Sequence, residues 1–138
     1  MDNLKISSDI KPKDFISIRE SVKWNKINYS QVEKALKNSM FNISIFIDDY
    51  CVGMGRVVGD NVLKGMLTDI IIRPEYQGKG IGKIIVTSLI KQIENKLEEN
   101  EVFQLEASPT CNKRDFYIKC GFKYKPENQD GVYLWIKK

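Results

Sequence analysis

Residues 63–72, LKGMLTDIII, are dense in branched side chains and run through Arg73-Pro74 into three closely spaced glycines, Gly78, Gly80 and Gly82. A long helical pattern starts there, with Ile81, Ile84, Ile85, Leu89, Ile93 and Leu97 forming one apolar stripe to about Glu99. A strand, a glycine turn and an amphipathic helix in immediate succession restrict the fold to a sheet with a helix laid on it. The helix start also exposes unpaired N–H groups and the positive end of the dipole, and glycines let an anion approach the backbone. A pyrophosphate is the guest this chemistry suits.

The rest of the pattern predicts a short strand at residues 4–6, a helix from Pro12 and a second helix capped by Ser30. A hairpin follows, FNISIFI and YCVGMGRVVG turning at Asp48-Asp49, and a turn at Gly59-Asp60-Asn61 leads into the central strand. After the long helix come a strand over Phe103–Ala107, a short helix in NKRDFYIKC closed by Gly121, and a last hairpin pairing FKYK with VYLWIKK. This order predicts one α/β domain over the 138 residues, a mixed antiparallel and parallel sheet flanked by helices on both faces.

Composition removes whole classes of chemistry. The chain has no histidine, which excludes Ser-His-Asp and Cys-His pairs and every histidine zinc site. Three cysteines, Cys51, Cys111 and Cys120, form no CxxC pair, so reduced thiols are expected and no thiolate metal site. The net charge of +4 is spread among 18 acidic residues, and only four arginines occur, so no nucleic-acid partner is expected. No apolar run could span a bilayer, and MDNLKISSDIK lacks the order of a signal peptide, so no membrane partner and a cytoplasmic location are expected.

The glycine turn is a poor P-loop, because Lys83 is followed by Ile84 rather than Ser or Thr, and a poor dinucleotide fingerprint, because Lys83 stands where a third glycine is required. It resembles instead the acetyl-CoA motif of the GNAT superfamily of N-acetyltransferases, (Arg/Gln)-x-x-Gly-x-(Gly/Ala), filled by Gln77, Gly80 and Gly82. The strand Asp69–Ile72 with Pro74 precedes it, and Tyr117, Gly121 and Phe122 behind it are similar to the family's Tyr-x-x-x-Gly-Phe. The resemblance extends over the element order from about Leu4 to Trp135.

That resemblance implies a GNAT-like fold and an enzyme that moves the acetyl group of acetyl-CoA, as co-substrate, directly to a primary amine of a small molecule or protein. Backbone amides of Gln77, Gly78, Lys79, Gly80, Ile81, Gly82 and Lys83 would hold the pyrophosphate without a metal, and the main chain of Ile70, Ile71 and Ile72 would run beside the pantetheine. Asn112 would touch the CoA tail, although it stands closer to the tyrosine than the family's asparagine does. Tyr117 would donate to the departing sulfur, and a backbone N–H near Ile70 would serve the oxyanion.

For the base, Asp69 is a lone carboxylate in an apolar strand, where partial burial would raise its pKa, and Glu106, Asp48, Asp49 or a water chain are alternatives. Cys111 and Cys120 raise a covalent acetyl-cysteine route, with direct transfer preferred for lack of an activating histidine. Trp24 and Tyr29 would wall the acceptor pocket. A non-catalytic acyl-CoA-binding domain is the alternative, and the last hairpin could form a homodimer.

Overall fold

The computed structural model describes residues 3–108, 113–126 and 131–138. Among them the chain runs β1 (Leu4–Ser7), α1 (Pro12–Ser21), α2 (Tyr29–Lys37), β2 (Phe41–Ile47), β3 (Tyr50–Gly59), β4 (Lys64–Ile72), α3 (Ile81–Lys96), β5 (Val102–Ala107), α4 (Arg114–Lys119), β6 (Lys123–Tyr124) and β7 (Val132–Lys137). The strands form one seven-stranded sheet in the order β1-β2-β3-β4-β5-β7-β6. Only β4 and β5 pair in parallel, because α3 carries the chain back between them.

Helices pack on both faces, as the pattern predicts. On one, the α3 residues Ile81, Ile85, Leu89 and Ile93 pack against Val57, Leu67, Phe103 and Leu105. On the other, Phe15 and Ile18 of α1 and Val32 and Leu36 of α2 meet Met54 and Ile71. This second cluster reaches β2, β3 and β4 but contains no residue of β5 or β7, so among the described residues no helix packs on that face of β5 and β7.

Local boundaries differ from the sequence reading where side chains intervene. Asn28, not Ser30, caps α2, its oxygen accepting from the N–H groups of Ser30 and Gln31. Helix α3 stops at Lys96 because Leu97 turns extended and is buried. The Asp48-Asp49 turn has φ of 50° and 65°, the left-handed pair that matches hairpin twist.

The decisive irregularity lies in β4. Arg56 pairs with Thr68 and Met54 with Ile71, so Asp69 and Ile70 stand opposite Gly55 alone. This is a β-bulge, with Asp69 at φ 55° in the left-handed region. The extra residue reverses which residues face which helices. Leu67, before the bulge, lies in the α3 cluster, whereas Ile71, after it, lies in the α1/α2 cluster. Gly55 is glycine because a Cβ there would lie 2.5 Å from Ile70 Cδ1 and 2.6 Å from Ile85 Cγ2. Gly55→Ala should therefore overpack the bulge and cost about 1–3 kcal/mol in urea unfolding. Parental stability would show that the bulge tolerates the methyl.

Candidate active site

The site begins where the parallel pair opens. Registered pairing of β4 with β5 ends at Leu67 and Ala107, while β4 continues to Ile72. The Arg73 N–H donates to Val52 O on β3, so by strand alternation the N–H groups of Ile70 and Ile72 point to the other side, where β5 has ended. The main chain of Ile70 and Ile72 thus presents a free edge in the gap. The Ile72 carbonyl is partly engaged, since it accepts from Gln77 Nε2 at 2.9 Å. The Gln77 side chain therefore folds the turn back on its strand.

At the end of that edge the chain makes a single 3₁₀ turn, Pro74–Tyr76, and enters α3 through Gly80, which has φ 84° and offers no side-chain cap. Gly78 has φ 77°, and at both glycines an added Cβ would meet nothing within 4 Å. The two face open space beside the N–H groups of Ile81, Gly82 and Lys83, which helix geometry leaves without intrahelical partners. Lys79 is drawn over the Tyr76 ring at 5.4 Å. At Gly82 the missing side chain has a different role: a Cβ there would meet Phe116 Cζ at 3.3 Å, so its absence makes room for α4. Asn112 lies outside the described residues.

Asp69 is not the lone carboxylate of the sequence reading. Its Oδ1 accepts from Arg19 Nη1 at 2.9 Å and its Oδ2 from Arg56 Nε at 2.8 Å, and its side chain is almost fully buried. With a guanidinium on each oxygen, the carboxylate is an anchor between α1, β3 and β4. Arg56 also donates to Ser39 Oγ, and Arg19 lies under the Trp24 ring at 5.0 Å. Trp24 is half-exposed at this rim, and Tyr29 is exposed at the start of α2.

Across the gap, Glu106 of β5 is similarly held. Lys125 Nζ lies 2.9 Å from one oxygen and Lys64 Nζ 3.6 Å from the other, and the Lys125 hydrogen bond, against the opposing effect of burial, holds its carboxyl below the usual range. Asp48 and Asp49 remain turn residues, bonded to Asn3 and Lys5 of the β1 side. Sequence reading passed over Arg19, Arg56 and Arg73. Arg73 is buried, donates to Cys51 O and Ser17 Oγ, and stacks on Tyr50. Their signal was an arginine in an apolar segment, which has to find an acceptor.

Tyr117 is 7% exposed, edge-on to Phe116 at 5.1 Å and to Phe122 at 5.5 Å. Burial pushes its phenol up to about 12, so it keeps its proton throughout the neutral range. Burial also pushes up the thiols of Cys51, to about 11, and Cys120, which disfavours the nucleophilic thiolate. Cys111 lies outside the described residues. Among the described residues no group of acidic or cysteine side chains is arranged to hold a metal ion.

A strand bulge, a parallel pair splayed beyond it and a glycine helix start at its end define an acyltransferase architecture. The sequence profile of the acetyltransferase (GNAT) domain matches residues 8–135. The chain is 32% identical over 120 residues to the uncharacterized N-acetyltransferase ycf52 of Pyropia yezoensis, covering 84% of this chain and 67% of that one. A probable acetyltransferase from meticillin-resistant Staphylococcus aureus superposes with a TM-score of 0.80 at 26% identity, over 95% of this chain and 98% of that one. The PaiA N-acetyltransferase of Thermoplasma acidophilum, solved with coenzyme A, has the same fold, with a TM-score of 0.68 at 21% identity over 98% and 99% of the two chains. This chain belongs to the GNAT acetyltransferase family.

Two expectations follow. Gly80→Glu, which places a carboxylate in the open space beside the helix start, should abolish CoA binding in calorimetry with the fold retained by circular dichroism; parental affinity would remove the turn from the binding site. The folded chain also holds the Tyr117 proton more tightly than the unfolded chain, so stability present below the ordinary phenol value of 10 is lost as pH rises to about 12. The loss is up to ~3 kcal/mol, and Tyr117→Phe should remove it from urea titrations across that range.

Proposed function

We propose that the protein transfers the acetyl group of acetyl-CoA directly to a primary amine. The observation that carries this reading is the free edge of Ile70 and Ile72, which starts at the Asp69 bulge and leads straight to the Gly80 helix start. The open space at Gly78 and Gly80 fits a pyrophosphate held by the amides from Gln77 to Lys83, including Lys79, Ile81 and Gly82. The edge from Ile70 through Ile71 to Ile72 suits amide pairing with a pantetheine arm. When bound, acetyl-CoA supplies the acyl group as an activated thioester.

The chain supplies position and charge. The Ile70 N–H, turned to the gap, suits a carbonyl oxygen that gains negative charge. Tyr117, with its phenol at about 12, acts as a hydrogen-bond donor to the leaving sulfur, because full proton transfer to an ordinary thiolate would run uphill. The amine needs no dedicated carboxylate base. Arg19 and Arg56 outnumber Asp69, and Lys64 and Lys125 outnumber Glu106. This surplus of positive charge disfavours an incoming ammonium and favours the free amine, which loses its proton to water.

Incubation with acetyl-CoA and a panel of amines, following free thiol, tests the reading. Tyr117→Phe should lower kcat by about 10²-fold with acetyl-CoA affinity unchanged. Asp69→Asn should lower kcat through loss of the bulge without shifting the pH midpoint of the rate, whereas a lost acidic limb would identify it as the base. Binding of acetyl-CoA with no thiol released on any amine would overturn the proposal.

A further inference from the structure

The face of β5 and β7 that α1 and α2 leave bare is, among the described residues, both basic and aromatic. Cross-strand partners share a face, and the register places Lys64 beside Gln104, Met66 beside Glu106, and Tyr133 and Trp135 opposite Glu106 and Gln104. Lys123 pairs with Tyr133, and Lys137 with Val102, on the same face. Trp135 is 47% exposed and Met66 38%. Glu106 is the sole acidic side chain that β4–β7 put on this bare strip among the described residues, and two lysines hold it. The other side of the gap repeats the imbalance, with Arg19 and Arg56 on Asp69.

Resting on the acetyltransferase reading, we infer that this strip binds the acceptor, and that the acceptor is an acidic polypeptide segment whose carboxylates flank the amine. Helices α3 and α4 pack on the opposite face of the sheet, where the Gly80 turn leads the CoA arm to the gap, so an amine that meets the Ile70 edge arrives over the bare strip. The length argues for a chain rather than a metabolite: β5 extends over six residues, Val102–Ala107, or roughly 20 Å, room for an extended peptide of comparable length. Charge fixes its chemistry. A lone ammonium is repelled by the cations on both sides of the gap, and carboxylates next to it offset that repulsion while Lys64, Lys123 and Lys137 draw them along the strip. Tyr133, Trp135 and Met66 supply the apolar floor.

The test uses the full chain with peptides that carry one free amine flanked by Glu, Ser or Arg. Thiol release should give Glu-flanked peptides a kcat/KM about tenfold above Ser-flanked ones, with Arg-flanked peptides lowest, and added salt should erase the advantage. Lys123→Glu with Lys137→Glu should reverse the ranking with acetyl-CoA affinity unchanged, and the corresponding Gln pair should flatten it. In parallel, anisotropy of an N-acetylated Glu peptide reads the strip without transfer. Salt-sensitive binding lost in the Glu pair, with no thiol released from any peptide, would support the acidic-peptide surface and defeat the transferase reading. Transfer without an acidic preference would overturn the surface and leave the transferase reading intact. Tighter binding of single-stranded RNA than of the Glu peptide would also overturn it.

Discussion

The buried triad of Arg19, Asp69 and Arg56 is the interaction on which the rest of the site depends. Asp69 occupies a left-handed backbone conformation, which costs a non-glycine residue roughly 1–2 kcal/mol, although aspartate tolerates it better than most. Its charge is also withdrawn from water. Both penalties are tolerable only because each carboxylate oxygen meets a guanidinium, one from α1 and one from β3. Removing either arginine leaves a buried charge half-compensated, and such losses are far larger than the net worth of the pair. The bulge, the orientation of α1 and the half-exposed Trp24 over Arg19 therefore stand together.

From this one insertion the division of labour follows. Before the bulge, Leu67 serves the α3 core; after it, Ile71 serves the α1/α2 core. The same shift turns the backbone of Ile70 and Ile72 toward the place that β5 vacates. The sheet thus keeps two packed cores while β4 changes from a strand with two neighbours into a strand with one. A regular strand could not do both.

Much of this was legible in the residues. The apolar stripe of α3 and the alternation of Phe103, Leu105 and Ala107 gave the central elements, because burial on one face imposes a period. Gly80 was legible as a helix-start glycine. Gly82 was not, because a motif shows where glycines stand and hides which of them faces a ligand and which faces another helix; here Phe116 decides. Asp69 was visible as a polar residue in an apolar strand, but its partners lie at 13 and 50 residues' separation. Pairing at that range depends on tertiary contacts that no local pattern encodes. Asn28 differs, since its cap is local, two and three residues along the chain, and both it and Ser30 are cap-forming types between which the pattern does not choose.

The contact between Gly82 and Phe116 links the two halves of the site as a mutational unit. The Phe116 ring stands where a Cβ at position 82 would meet its Cζ at 3.3 Å, and it lies against Tyr117 through an edge-on ring contact. A side chain at 82 must displace the Phe116 ring, and the neighbour of that ring is the hydroxyl-bearing residue of α4. A larger residue at 82 is therefore accommodated by a small shift of the Phe116 ring or by a smaller residue at 116. An evolutionary drift in the turn is read out in the placement of the phenol even when no atom of Tyr117 has been altered.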